Sequence, residues 1–160
     1  MNENLKINEI CVGNFIYDDD LIPSKITAIV PHDDSVRADT PHGCSLHIDI
    51  YRDNKTVSKD FACDFHDCKG IPINEDWLIK LGFVEKHFSR KNKYVWTTPY
   101  YMFHNFLWYF DLKRDRYLSF CVSETFVTDV RHVHQLQNLY QSITHDQLTL
   151  VLKTQHDEKR

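Results

Sequence analysis

Leu46, Ile48 and Ile50 alternate with His47, Asp49 and Tyr51, a period of two that a β-strand with one buried face satisfies and a helix does not. Such strands must find partners, and the surrounding sequence supplies them. Phe15-Ile16-Tyr17 follows Gly13-Asn14 and precedes an acidic turn at Asp18-Asp19-Asp20, read as solvated loop residues. Ile26-Thr27-Ala28-Ile29-Val30 is β-branched and stops at Pro31. Asp53-Asn54 turns the chain into residues 56–62, where Val57 and Phe61 share a face. Several short antiparallel strands within about 70 residues predict a small curled sheet or SH3-like barrel.

A different period follows. Asn74 is placed to cap a helix whose first turn carries Glu75 and Asp76, whose apolar stripe is Trp77, Leu78 and Leu81, and whose end is Gly82. Strands then return over 83–88 and 94–97. The clearest hairpin sets Trp108, Phe110 and Leu112 against Leu118, Phe120 and Val122. From Asp129, read as an N-cap, to Ile143 the apolar spacing becomes helical through Val133, Leu136 and Tyr140. Residues 148–152 read as a last strand. The chain is therefore expected to be α+β: an N-terminal antiparallel sheet or barrel packed with a second antiparallel sheet and two helices. It reads as a single domain over 1–160, with subdomains at 1–70, mostly β, and 71–160, α+β.

Composition narrows the function classes. Hydrophobic residues make up 42% of the 160, enough for a core without metal or disulfide staples. The net charge of −4, from 19 basic and 23 acidic residues, argues against non-specific nucleic-acid binding, which grows with the number of phosphates neutralised. The opening residues lack the basic start and apolar run of a secretory signal, and no apolar stretch approaches the ~20 residues that span a bilayer. Five cysteines, an odd number without regular spacing, fit free thiols in a reducing cytosol. With four glycines and no phosphate loop, nucleophile elbow or HExxH, neither a cofactor nor a catalytic residue is expected.

Two residue clusters bear on function. Cys63, His66 and Cys68, with His42, Cys44 and His47 upstream, are zinc-type ligands, but their spacing matches no paired CxxC or CxxC…HxxxH framework. A metal-dependent enzyme using Cys63, His66 and Cys68 is thus the weaker reading, and buried thiols with solvated imidazoles the stronger. His132 and His134 are two apart, a spacing that turns side chains away from each other on a helix. The basic turns carry more. Lys86, Arg90, Lys91 and Lys93 surround one predicted hairpin beside Phe88, Tyr94 and Trp96, while Lys113, Arg114 and Arg116 surround another beside Tyr109 and Tyr117. Cations next to exposed rings hold phosphates and stack bases, whereas charged tips alone serve solubility and block edge pairing. The aromatic density over 94–110 exceeds what two strand faces need, and surplus rings make interface anchors.

Three segments carry a resemblance: Val12-Gly13-Asn14-Phe15-Ile16-Tyr17, residues 71–83 (IPINEDWLIKLGF), and Val133-His134-Gln135-Leu136-Gln137-Asn138-Leu139-Tyr140 with Leu148-Thr149-Leu150. In that order they resemble a family of small, mostly uncharacterised proteins encoded by bacteriophages and prophages, with a GNxV-type opening, a PLTEEWLLKFGF-type helix and a VHQLQNLYFALTGEELT-type ending. Dense similarity covers about a quarter of the chain. Asn74 stands where the family has a threonine cap, and Thr144-His145-Asp146-Gln147 where it has a glycine-containing turn.

The resemblance implies a non-enzymatic protein in the bacterial host's cytoplasm that contacts a host protein or ribonucleoprotein. Its sharpest form is an anti-CRISPR inhibitor of a type VI, RNA-targeting effector. A module of the mobile element that binds RNA or single-stranded DNA is the alternative. The residues expected at either interface are Lys86, Arg90, Lys91, Lys93, Tyr94, Trp96, Lys113, Arg114 and Arg116.

Overall fold

The computed structural model describes residues 5–31, 44–52, 55–88, 93–97, 102–103, 106–113, 117–122 and 125–151. It is α+β with antiparallel sheets, as the sequence predicts, and divides into two compact units. The first comprises residues 1–71 and 132–147, the second 72–131 and 148–160. The helix over residues 133–144 groups with the N-terminal strands.

In the first unit β1 (Phe15–Tyr17), β2 (Pro23–Pro31), β3 (Cys44–Arg52) and β4 (Lys55–Asp64) form a meander in the order β1-β2-β3-β4. Beyond β4 a 3₁₀ turn, Phe65–Asp67, leads to Lys69, which makes a single antiparallel bridge to Tyr17. The sheet thus returns to its first strand through one bridge rather than through a full barrel ladder.

Leu46 and Ile48 are fully buried with Ile16 and Ile26, and Ile50 packs half-buried against them. Each such aliphatic side chain contributes about 1.5–3 kcal/mol of burial. The β3–β4 register shifts twice, between Ile48 and Ile50 and between Ile50 and Tyr51, and Val57 and Phe61 lie exposed. Asp18 is buried rather than solvated. Its carboxylate accepts the Ile22 N–H at 2.7 Å and the Ser24 hydroxyl at 3.2 Å, so it builds the turn between β1 and β2.

The helix of this unit, α2, spans Val133–Thr144. It starts four residues later than Asp129, because Asp129 belongs to a strand of the second unit and accepts the Ser119 hydroxyl at 2.9 Å. His132 is the N-cap, and its N–H donates to Gln135 Oε1 at 3.3 Å. Two amide side chains then tie α2 to the opening motif. Gln137 Oε1 accepts the Phe15 N–H at 2.8 Å and its Nε2 donates to the Gly13 carbonyl at 3.1 Å. Asn138 Nδ2 donates to the Glu9 carbonyl at 2.8 Å, and its Oδ1 accepts from Asn14 Nδ2 at 2.9 Å. Asn14 Oδ1 in turn accepts the Cys11 N–H. The Gly-Asn opening and the Gln-Asn pair of the helix are two halves of one hydrogen-bonded joint, which gives a physical reason for both motifs in one chain.

α2 ends at His145, whose φ of 63° places it in the left-handed region where glycine is favoured. A β-carbon there costs about 1 kcal/mol. His145→Gly is therefore expected to stabilise the chain by roughly that amount, read as a higher urea midpoint, while His145→Val lowers it.

The second unit opens with the predicted helix, α1 (Glu75–Lys80). Asn74 Oδ1 accepts the Trp77 N–H at 3.0 Å, and Gly82 takes a φ of 80° just past the helix. Trp77 and Leu78 are buried, and the Lys80 ammonium lies 5.1 Å from the Trp77 ring centre. The sheet has the order β10-β9-β8-β6-β5, from β5 (Val84–Phe88), β6 (Lys93–Thr97), β8 (Phe106–Lys113), β9 (Tyr117–Val122) and β10 (Thr125–Val130), with β7 (Met102–Phe103) paired to β8. In the β8–β9 hairpin Trp108, Phe110 and Leu112 stand opposite Val122, Phe120 and Leu118, the register the sequence implies. The expected last strand is not formed over 148–151. Leu148 is buried there, and the Val151 N–H donates to the Lys80 carbonyl at 2.8 Å.

Candidate functional sites

Among the described residues a concavity lies within the first unit. It is a cavity of about 430 Å³ between Leu5, Lys6 and Glu9 on the N-terminal segment, Gly70, and His132, His134 and Gln135 at the start of α2. The two imidazoles do not diverge. His132 precedes the helix with extended backbone (φ −126°, ψ 154°), which removes the helical turn between it and His134. The rings stack nearly parallel, 12° apart with centres 5.5 Å from each other. The sequence reading missed this by starting the helix at Asp129; a His-x-His pair straddling a helix start is the signal that would have shown it.

His134 is 1% exposed, and neither ring nitrogen has a hydrogen-bond partner among the described residues. Burial, reinforced by His132 and opposed by Glu9, lowers its pKa to about 4, so the ring is neutral at pH 7. Lys6 Nζ lies 3.3 Å from Glu9 Oε1 on the rim.

Gly70 is required here by space. A β-carbon on it would lie 2.8 Å from His132 Cδ2, 2.9 Å from His132 Cγ and 3.1 Å from His134 Cε1, inside ordinary van der Waals contact.

Cys63 and Cys68 do meet, with sulfur atoms 3.2 Å apart inside the core, and Cys44 is buried in the same cluster. The hydrogen bond to Cys63, aided by burial, holds the Cys68 thiol well above its ordinary range, and burial also raises Cys44. These thiols pack as small apolar groups. His66 does not join them: its ring is exposed, 5.7 Å edge-on from Phe65. His42 lies outside the described residues. Among the described residues no three of His, Cys, Asp and Glu are arranged to hold a metal ion.

The basic hairpin is partly described. Tyr94 is 62% exposed on β6, with the His87 ring braced edge-to-face at 5.1 Å on the paired strand. Lys86 is exposed on β5. It pairs with Val95 whereas Tyr94 pairs with His87, so the cation and the ring flank the hairpin on alternate faces. Trp96 corrects the expectation that the rings of this hairpin are available: opposite Phe110 in the register, it is only 5% exposed. An interior strand position between β5 and β8 claims its ring for the core. The backbone of Lys93 and Lys113 belongs to β6 and β8; their side chains, and Arg90, Lys91, Arg114 and Arg116 entirely, lie outside the described residues.

No helix among the described residues is long and apolar enough to cross a membrane. Comparison with family models, curated proteins and solved structures returns no match.

Proposed function

We propose that this chain is a phage-type host-interaction protein, not an enzyme, which docks through the β5–β6 hairpin of its second unit onto a ribonucleoprotein of the bacterial host. An RNA-targeting CRISPR effector of type VI is the most specific partner in keeping with that chemistry. The observation that supports this reading is the Tyr94 ring, left 62% in water on a hairpin whose two strands are separated in sequence by Ser89-Arg90-Lys91-Asn92. A charged tip alone keeps a sheet edge from pairing. A large exposed ring braced by a second ring adds nothing to that protection, and is the form that interface anchors take.

The reading predicts that tagged protein captures a ribonucleoprotein from bacterial lysate and that Tyr94→Ala weakens capture at least about tenfold, the effect of losing ~1.4 kcal/mol at an anchor. The charge reversals Lys91→Glu with Lys93→Glu lower it further and reduce its salt dependence. Equal capture by wild type and Tyr94→Ala removes the hairpin from the argument. Capture that vanishes after ribonuclease treatment, with direct salt-sensitive RNA binding by the purified chain, favours the nucleic-acid-binding module instead.

A further inference from the structure

Two of the buried thiols of the first unit face each other, and their chemistry extends past packing. We infer that Cys63 and Cys68 form a peroxide-responsive modification site, oxidised by neutral hydrogen peroxide to an intramolecular disulfide that fastens the end of β4 to the segment pairing with β1.

Three observations lead there. The first is proximity. Cys63 Sγ and Cys68 Sγ lie 3.2 Å apart, about 1 Å more than the ~2.05 Å of a disulfide. The two residues flank one 3₁₀ turn, Phe65–Asp67, and while reduced they pack as small apolar groups. His66 and Asp67 of that turn are exposed, and the His66 N–H donates to Asp64 Oδ1 at 3.0 Å on the surface. Hydrogen bonds open to water break locally at low cost, which admits a small oxidant to thiols that are otherwise covered.

The second is a division of labour between the sulfurs. Cys68 Sγ is placed to donate to Cys63 Sγ, with the Asp64 carbonyl 3.4 Å away as a second acceptor. That hydrogen bond lowers the pKa of Cys63, against the opposing effects of burial and of the Asp19, Asp18 and Asp64 carboxylates. The thiolate is the nucleophile, so Cys63 attacks and Cys68 resolves. The same three carboxylates disfavour an anionic oxidant such as glutathione disulfide. A neutral peroxide meets no such repulsion.

The atoms balance. Cys63 gives up its proton, and its thiolate attacks one peroxide oxygen. The O–O bond breaks, and hydroxide leaves with that proton as water, which makes Cys63 a sulfenic acid. Cys68 Sγ then attacks Cys63 Sγ. The S–S bond forms as the S–O bond breaks, and the Cys68 proton departs with the second hydroxide. Two thiols are oxidised to one disulfide while one peroxide is reduced to two waters.

The third observation is position. Cys63 pairs with Leu46 near the end of β4. Cys68 immediately precedes Lys69, whose N–H and carbonyl bond to Tyr17 at 3.0 and 2.8 Å and return the sheet to β1. A bond between the sulfurs ties that bridge covalently to β4.

The test treats the full, reduced chain with hydrogen peroxide, alkylates the remaining thiols and maps the peptides by mass spectrometry. The folded protein is expected to join Cys63 to Cys68, reversibly with dithiothreitol, while Cys44 and Cys121 stay alkylated as thiols. Cys68→Ser should stop at the sulfenic acid, trapped on Cys63 by dimedone. In Cys63→Ser, Cys68 should react at least about tenfold more slowly than Cys63 does in Cys68→Ser. Amide exchange at Tyr17 and Lys69 should slow at least about threefold in the oxidised wild type. If a serine variant does not fold, the wild-type peptide map decides alone.

Three results overturn the proposal: oxidation of the exposed Cys11 with Cys63 and Cys68 left as thiols; a Cys63–Cys68 bond that forms only in urea, which makes the pair an apolar contact of the core; or equal yields of bonds from Cys44 to either sulfur, which makes the cluster unselective. Unchanged exchange at Tyr17 and Lys69 overturns the fastening of the bridge. None of these measurements involves Tyr94, so the site stands or falls apart from the hairpin reading.

Discussion

Gln137→Leu is expected to lower the unfolding free energy by about 3 kcal/mol, although leucine suits a helix and nearly matches glutamine in volume. Gln137 is buried on α2, and its amide serves the Phe15 N–H and the Gly13 carbonyl across 122 and 124 residues of sequence. Leucine can satisfy neither. Loss of the partner costs about 1–3 kcal/mol at the buried Phe15 N–H and less at the half-buried Gly13 carbonyl, together more than the apolar replacement returns. Urea melts provide the measurement. Gln141→Leu, on an exposed position of the same helix, is the control and should stay within about 0.5 kcal/mol of wild type. Equal effects at the two positions would mean that the joint between the opening motif and the helix adds nothing to stability.

Acidification from pH 7 to pH 4 is expected to cost on the order of 3 kcal/mol through His134 alone. Burial, and secondarily His132, lowers its folded pKa to about 4 from the ordinary 6.5. The unfolded chain therefore takes up this proton first. Between those two values the unfolded state holds more protons than the folded one, and stability must fall as pH falls. The contribution is constant above about pH 6.5, declines by about 1.4 kcal/mol per pH unit within the window, and levels off below about pH 4. The groups nearest the ring act in opposite senses: His132 lowers its pKa, and Glu9 raises it. Urea melts at unit pH intervals should show this decline in wild type and a flatter profile in His134→Phe. Parallel profiles would place the ring in water.

Much of this architecture was legible because the residues that shape it act locally. The alternation of Leu46 and Ile48, the Asn74 cap, the Gly82 stop and the β8–β9 register each depend on neighbours a few positions away. What escaped reading depends on distant partners. Asp129 looks like a helix cap until Ser119 is seen to claim its carboxylate. Trp96 looks like an interface ring until the strand opposite it is known to be β8. Asp18 reads as a solvated turn residue, yet its burial follows from Ser24 and Ile22 folding over it. The candidate cavity was the least visible feature. It requires Leu5, Gly70 and His134 to converge, and no spacing within the sequence predicts that three segments so far apart share a wall.

The division of the chain has a consequence for its birth on the ribosome. Residues 1–71 complete the four-stranded meander early, but the helix whose Gln137 and Asn138 fasten its opening belongs to residues 132–147. The 60 residues from 72 to 131 must be synthesised in between, which takes roughly 3–12 s at ordinary elongation rates. Throughout that interval the amides of Asn14 and Phe15 await partners not yet made, and the nascent meander is exposed to chaperones and proteases. The inserted unit thereby acts as a built-in delay, and maturation of the first unit is timed by translation of the second.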